Sequence, residues 1–176
     1  MNIHQNEVEI TVARKLACEQ ITFTRNYTLE LLRDIQDDEW FAVPDGAVSH
    51  VAWQVGHLAM AEYGLTLLRI RDRQSEDEQL IGKDFMRCFK KGSQPTADAV
   101  TYPTVDEIRD VLDRVHNQAL AAIPKYSTAL LSESLAAPTA AYPTKLGSIF
   151  FCPMHEMLHA GQIGALRRQL GKAPLR

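Results

Sequence analysis

The sequence predicts an all-α fold, an antiparallel four-helix bundle of the up-down-up-down type with a long excursion between its second and third helices. Three observations lead to this prediction. Apolar residues recur at helical spacing in four long stretches, strand-like alternation closed by Asn-Gly or Asp-Gly is missing, and residues 74–103 follow neither period. No linker divides the chain, so residues 1–176 are expected to form a single domain.

The first helix is predicted over residues 8–36, and breakers with polar residues in "DDEWFAVPDGAVS" then indicate a loop. Its predicted apolar stripe consists of Val12, Leu16, Phe23, Tyr27 and Leu31.

The second helix is predicted from His50 to Arg73. Its predicted core positions are Val51, Val55, Leu58, Leu65 and Leu68. The segment 74–103 that follows is acidic at first and basic later. Loops of this length in compact domains are often lids or binding segments. Two interpretations stay open, a lid over a site or a surface excursion pinned by Phe85, Met86 and Phe89.

The third and fourth helices have clear boundaries. Thr104 and Glu107 form a capping box that starts the third helix, and Pro124 ends it. Its inward residues are predicted to be Ile108, Val111, Leu112, Val115 and Ala119. A second Tyr-Pro-Thr, at 142–144, predicts entry into a last helix over residues 145–170, followed by Gly171 as the residue that closes its end.

Composition excludes several classes of protein. The formal charge of −3 and the lack of a basic stripe argue against a nucleic-acid or anionic-membrane partner. No apolar run approaches membrane-spanning length. Cys18, Cys88 and Cys152 are odd in number and widely spaced, so they predict no disulfide framework. We expect a reduced, cytoplasmic setting.

The last predicted helix contains the stretch "HEMLH", residues 155–159. His155 and His159 lie within about 40° of each other around a helix, so both imidazoles can reach one ion. The alternative is that both are ordinary surface or core residues. Gln162 extends the same face, and a polar stripe that borders a core needs a partner.

The second helix offers that partner in His57, within "AWQVGHLAMAE". A lone histidine in such a stretch is more often a core residue, but opposite an H-x-x-x-H helix it becomes the natural third ligand. Gly56 permits close approach of another element there. His50 lies on nearly the same face and is the weaker candidate. The remaining two, His4 and His116, are predicted to be ordinary surface residues.

The match to H-E-x-x-H does not predict a zinc protease. No Asp, Glu or His follows His159, so a downstream third ligand is lacking. Glu156 lies at the edge of the ligand face, either solvated or touching the site. Pro153 lies inside the helix and is expected to bend it, which would re-aim His155.

Three segments, "AWQVGHLAMAE" (52–62), "YPTVDEIRDVLD" (102–113) and "HEMLHAGQIGALRRQLG" (155–171), resemble in order and spacing the DinB-like helical-bundle metalloproteins. The resemblance implies an antiparallel four-helix core and a divalent metal held by His57, His155 and His159, with open positions for water or substrate. Members are commonly homodimers. Several are enzymes that use low-molecular-weight thiols as co-substrates, including S-transferases and an isomerase, and many others have no known activity and are only labelled as hydrolases.

Three neutral imidazoles suit Zn²⁺, Ni²⁺ or Fe²⁺ and leave positions open for a water or a thiol. The leading hypothesis is a metal-dependent enzyme of the thiol S-transferase or hydrolase type acting on a small molecule. The alternative is a non-catalytic metal-binding protein with a stress-response or ligand-binding role. Gln162, Glu156 and Glu62 are the candidates for supporting the site from outside the ligand set.

Overall fold

The computed structural model describes residues 3–135 and 142–175, with side chains from residue 7 onward in those ranges. The helices in chain order are α1 Ile3–Leu32, α2 Val51–Tyr63, α3 Arg69–Arg71, α4 Asp77–Leu80, α5 Lys83–Phe89, α6 Val105–Ala122, α7 Thr128–Ser132 and α8 Lys145–Gln169. Within the described ranges there is no β-strand, and Ser134 and Thr144 form an isolated bridge. The all-α prediction is confirmed; the up-down-up-down order and the single domain stay predictions.

The predicted second helix is continuous in the structure, because a π-helical turn over Gly64–Leu68 joins α2 to α3. His50 caps its start, where the Nδ1 atom accepts a hydrogen bond from the backbone N–H of Trp53 at 3.0 Å. Four of its five predicted core residues are buried, but Leu68 is 36% exposed. The π-helical turn alters the angular spacing there, so the regular helical period no longer predicts which side chain faces inward.

The predicted apolar stripe of α1 is wrong over most of its length. Val12, Leu16 and Phe23 are exposed by 62%, 45% and 60%. The buried face of α1 instead carries apolar residues mixed with polar ones: Ile10, Ala17, Ile21, Thr24, Arg25, Thr28, Leu31 and Leu32. The buried face includes an arginine and two threonines, which interrupt its apolar pattern. The more regular apolar spacing lies on the outer face, so the prediction took that face for the core. The result is an exposed apolar strip along α1.

The boundaries predicted for the third and last long helices agree with those of α6 and α8, whereas the short helices α4, α5 and α7 were not predicted. Thr104 and Glu107 form the predicted capping box, with both reciprocal hydrogen bonds present. Thr144 caps α8 through Gly147, and Gly171 has a φ of 78°, the left-handed conformation that ends many helices. The five predicted inward residues of α6 are all buried. No helix in the described part of the chain is long and apolar enough to cross a membrane.

Helix packing places two apolar clusters along the molecule. Helix α1 packs on α8, and α2 packs on α6, α5 and α8. The first cluster contains Leu31, Val55, Leu112 and Ile163, together with Phe85 and Phe89 from the excursion. The second contains Ile21, Ile70, Ile123 and Ile149. On α1, α6 and α8, polar residues occupy the positions between the two apolar clusters. The candidate site residues lie at these polar positions or next to them.

The 74–103 segment is attached to the body of the protein through α5. Phe85 and Phe89 are buried and Met86 is half-buried, as the interpretation of a pinned excursion predicts. Gly56 shows how close the approach is, because a Cβ atom built there would lie 2.6 Å from the ring of Phe89. The close approach expected at Gly56 is therefore confirmed, and the approaching element is α5.

Candidate metal centre

His57, His155 and His159 come together at the contact between α2 and α8. One ring nitrogen of each histidine lies within 4.8 Å of the others, a spacing that could accommodate one shared ion. The ring centroids are 4.5 Å apart for His155 and His159, and 4.8 and 5.3 Å from His57 to His159 and His155. The helical spacing places the α8 pair on neighbouring turns, and packing of α2 supplies the third ring.

Two of the three imidazoles are oriented by hydrogen bonds at Nδ1. His57 donates from Nδ1 to the carbonyl oxygen of Phe89 at 2.8 Å. His159 donates from Nδ1 to Oε1 of Gln54 at 2.5 Å. A proton on Nδ1 leaves the Nε2 atom of a neutral ring as a lone-pair donor. Such an outer hydrogen bond commonly fixes the tautomer of a metal-binding histidine and raises its basicity.

Trp53 packs against the same group from the side of α2. Its ring stacks on His57 with centroids 4.8 Å apart and planes 7° from parallel. The indole Nε1–H donates to Oγ of Ser93 at 2.7 Å, a residue of the excursion. The 74–103 segment therefore contacts the site twice. The Phe89 carbonyl accepts a hydrogen bond from His57, and Ser93 accepts one from Trp53, which stacks on His57.

The electrostatics of the three histidines favour their neutral forms. Burial lowers the pKa of His155 to about 4, with a smaller contribution from His57. Burial lowers the pKa of His159 to about 3, with further lowering by His155 and His57. The pKa of His57 is also lowered by burial, against an opposing hydrogen bond to Phe89. Neutral imidazole is the form that binds metal ions, so the cluster is in the binding state at neutral pH.

The other histidines lie away from the cluster. His50 is fully buried at the start of α2, where its ring contacts Phe41 and Tyr102. The prediction that His116 is an ordinary surface residue is wrong, since its side chain is 13% exposed and its Nδ1 donates to Oε1 of Glu62 at 3.0 Å. The side chain of His4 is outside the described residues.

Glu156 is neither solvated nor in hydrogen-bonding contact with the three histidines. Its carboxylate is buried and accepts from Nε of Arg25 at 2.9 Å and from Nη2 at 3.1 Å. Arg25 also donates to Glu62 at 2.8 Å and to the carbonyl oxygen of Leu112 at 3.2 Å. The two glutamates that were candidates for supporting the site thus share one buried guanidinium.

The Arg25 network is a closed set of charges inside the protein. The side chains of Arg25, Glu62 and Glu156 are each exposed by 2% or less. Burial by itself raises the pKa of Glu62, but the charge of Arg25 and the His116 hydrogen bond outweigh it and hold that pKa below its ordinary value. Burial lowers the pKa of Arg25, and the two carboxylates more than offset this. Burial raises the pKa of the neighbouring Cys152 thiol, so this thiol stays protonated at neutral pH.

The residue that supports His159 is Gln54, which the sequence reasoning did not select. The side chain of Gln162 is exposed and makes no hydrogen bond to any described residue. Gln54 is 3% exposed and reaches His159 from α2. A usable signal was present in the sequence, because Gln54 lies three residues before His57 and therefore on nearly the same helical face.

Pro153 lies within α8, and the helix is continuous from Lys145 to Gln169. His155, two residues after Pro153, still lies 5.3 Å from His57 between ring centroids. His155 is therefore part of the group, and the bend at Pro153 stays a prediction.

The donor set fits a borderline divalent transition metal. Three neutral imidazoles are ligands that Zn²⁺, Ni²⁺ and Fe²⁺ accept, and a ligand set of three leaves coordination positions for an exogenous group. Within the described residues the cluster contains no fourth His, Cys, Asp or Glu. The arrangement resembles an open site more than a closed structural one.

Comparison with protein-family models identifies a family. A model described as the DinB superfamily matches residues 20–163, which include α2, α6 and all three clustered histidines. A comparison with curated proteins found no match.

Proposed function

The chain belongs to the DinB superfamily, and from that premise we propose that it is a metal-dependent enzyme of the thiol S-transferase or hydrolase type acting on a small molecule. His57, His155 and His159 would hold Zn²⁺, Ni²⁺ or Fe²⁺. The proposal rests on the pair of Nδ1 hydrogen bonds, to Phe89 and Gln54. These bonds leave the Nε2 atoms of His57 and His159 unprotonated, each with a lone pair that can bind a metal ion.

A bound divalent ion would supply positive charge that favours deprotonation of a water or a thiol at neutral pH. The residues of the chain contribute binding and orientation. The carbonyl of Phe89 and the amide of Gln54 hold two rings in one tautomer. Trp53 covers one face of His57 and limits the access of water there. A low-molecular-weight thiol as co-substrate distinguishes the transferase from the hydrolase.

The proposal extends to the assembly, a homodimer of antiparallel four-helix bundles in the cytoplasm. Exposed apolar residues support the dimer: Val8, Val12, Leu16 and Phe23 on α1, and Met154, Met157 and Leu158 on α8. Phe23, Met154 and Met157 also line a surface groove between these two helices. Contiguous exposed apolar surface on a folded protein commonly marks an interaction site. A second copy of the chain is the partner proposed here.

The rival function is that of a non-catalytic metal-binding or ligand-binding protein. The count of protein ligands separates the two: a fourth protein ligand closes a structural site, whereas a catalytic site keeps a position open. The three-membered cluster favours chemistry.

Metal content tests the proposal directly. The untagged protein is purified without chelators and its metal is measured, beside His159→Ala and the matched variant Gln162→Ala from the same helix. We expect about one ion per chain, retained in Gln162→Ala and lost in His159→Ala. Equal metal content in all three proteins would overturn the ligand assignment. Thiols paired with electrophiles, and separately hydrolysable esters and amides, then distinguish transfer from hydrolysis.

A further inference from the structure

A cavity of about 290 Å³ lies beside the histidine cluster, between residues 46–49 and the carboxyl-terminal half of α8. Its polar lining comes from Ser49, Gln54, Gln162 and Gln169, and apolar surface from Val48 and Leu166 completes it. None of the residues that line the cavity is charged. The cavity shares one wall with the candidate metal centre, because Gln54 both lines it and hydrogen-bonds His159.

Gln54 has one end of its amide engaged and the other free. Oε1 accepts from Nδ1 of His159, whereas Nε2 makes no hydrogen bond to any described residue. The side chain as a whole is 97% buried, but Nε2 is not one of the described buried polar atoms that lack a partner, so this N–H₂ group is open to solvent in the cavity. A carbonyl or hydroxyl oxygen of a bound molecule could replace water as its acceptor.

We propose that this cavity is a binding site for the uncharged, hydrogen-bonding part of the small molecule whose reacting end lies at the histidine cluster. Nε2 of Gln54 donates to an amide or hydroxyl oxygen of that part. This inference deepens the proposed function and rests on it. One glutamine side chain then serves both regions, since it orients His159 on one side and recognises the ligand on the other.

The lining selects the chemistry of the ligand. Carbonyl, amide and hydroxyl groups can be satisfied by the glutamine amides and by Ser49. A carboxylate, phosphate or ammonium group would find no charged partner in the cavity wall. Thiols or electrophiles that carry a neutral amide or polyol portion therefore fit better than charged ones.

Binding to the cobalt-loaded protein tests the inference without relying on turnover. Co²⁺ in an imidazole site gives visible absorption, and thiolate binding adds a charge-transfer band. The probes are N-acetylcysteamine, a thiol with a neutral amide, and ethanethiol, which has the same reacting end but no amide. We expect N-acetylcysteamine to bind the wild-type protein at least tenfold more tightly than ethanethiol.

Ala165 provides the variant that fills the cavity. It lines the cavity on the exposed side of α8, so Ala165→Phe occupies the space without replacing a core residue or a histidine. The tenfold preference should vanish in Ala165→Phe while ethanethiol binds as before. Ala121→Phe, at an exposed alanine of α6 outside the cavity, is the matched control and should retain the preference.

Gln54→Glu gives a second test, because it keeps an oxygen for His159 and removes the free N–H₂ donor. This variant should retain cobalt and lose the preference. Equal binding of both thiols to the wild-type protein, or a preference that survives in Ala165→Phe, would overturn the cavity inference alone. Failure of the wild-type protein to bind Co²⁺, or lack of a charge-transfer band with either thiol, would overturn the proposed function, and the inference with it.

Discussion

Arg25 and Glu156 form a buried ion pair at 2.9 Å, and Glu156 is the residue next to His155. The pair joins α1 to α8 at the level of the candidate metal centre. Through Glu62, a residue of α2, the same guanidinium also contacts a third helix. The glutamate of "HEMLH" therefore connects α8, the helix with two of the histidines, to α1 and through Arg25 to α2.

Removing the cation of this network should strongly destabilise the fold. Arg25→Leu leaves two buried carboxylates, and we expect a loss of about 3–5 kcal/mol in the free energy of unfolding. Urea denaturation measures it. The control is Lys15→Ala, also on α1, whose partner Glu19 lies 3.8 Å away with both side chains largely exposed. That variant should change stability by less than about 1 kcal/mol. Similar effects of the two substitutions would contradict the importance of the buried network.

Gln54 should control metal affinity through His159. Gln54→Ala removes the acceptor of the Nδ1 proton, so the ring loses its fixed tautomer, and we expect a 10–100-fold weaker metal affinity. Competition with a chromophoric chelator measures the affinity. Gln162→Ala, on the face of α8 that the sequence selected, should bind metal as the wild-type protein does. A metal affinity unaltered by Gln54→Ala would show that the hydrogen bond has no such role.

Gly56 should tolerate no side chain. Its Cβ atom would lie 2.6 Å from the ring of the buried Phe89, whose carbonyl oxygen holds His57. We expect Gly56→Ala to cost about 1–3 kcal/mol of stability through overpacking and to weaken metal binding as well. Gly64→Ala is the matched control, since no atom lies within 4 Å of the added Cβ. It should be neutral or stabilising by roughly 0.5–1 kcal/mol.

Acid should destabilise the metal-free protein through the histidine cluster. The pKa of an unfolded histidine is about 6.5, whereas the pKa values of folded His155 and His159 are lowered to about 4 and about 3. As pH falls below about 6.5 the unfolded chain binds protons that the folded protein does not. The contribution of these two histidines to the free energy of unfolding is therefore fully present above about pH 6.5, and it is lost as the pH falls towards 4.

Urea denaturation of the metal-free protein at pH 7.5 and 5.0 measures this effect. The double variant His155→Gln/His159→Gln should lose less stability over the same interval. The pKa of Glu62 is lowered in the folded protein. A carboxylate of this kind loses its contribution to stability only as the pH falls below its ordinary pKa, so Glu62 affects stability at lower pH than the histidines do. Identical pH dependence of the two proteins would contradict the assignment to the cluster.

The exposed strip on α1 and α8 should hold two chains together. Phe23→Asp places a charge in the groove lined by Met154 and Met157, so we expect dissociation of the proposed homodimer. Light scattering coupled to size-exclusion chromatography gives the mass. Val100→Asp, at a valine exposed by 89% outside this strip, should leave the mass unchanged. A wild-type protein that is monomeric at micromolar concentration would rule out the dimer.

Sequence patterns predicted helix ends and inward-facing residues correctly where these depend only on interactions within one helix. The capping box at Thr104, the glycine at the end of α8 and the inward residues of α6 follow from hydrogen-bonding and apolar periodicity within a single helix. The i, i+4 spacing likewise placed His155 and His159 side by side. The all-α class and the family followed from the same local patterns.

Apolar periodicity failed on α1 because burial there is decided by partners on other helices. Arg25 is inside because Glu62 and Glu156 meet it, and Phe23 is outside because the ion pairs occupy the inner face. No feature of α1 by itself reveals that its arginine is buried. The same reason explains His116, which is drawn inward by Glu62.

The sequence by itself determined the four long helical stretches, the pair of histidines on α8 and the candidacy of His57. Only the tertiary structure decided that Glu156 pairs with Arg25, that Gln54 rather than Gln162 holds His159, and that the carbonyl of Phe89 orients His57. The physical reason is range. Helical spacing fixes which side chains share a face within one helix, whereas hydrogen bonds and ion pairs between helices depend on how those faces pack together.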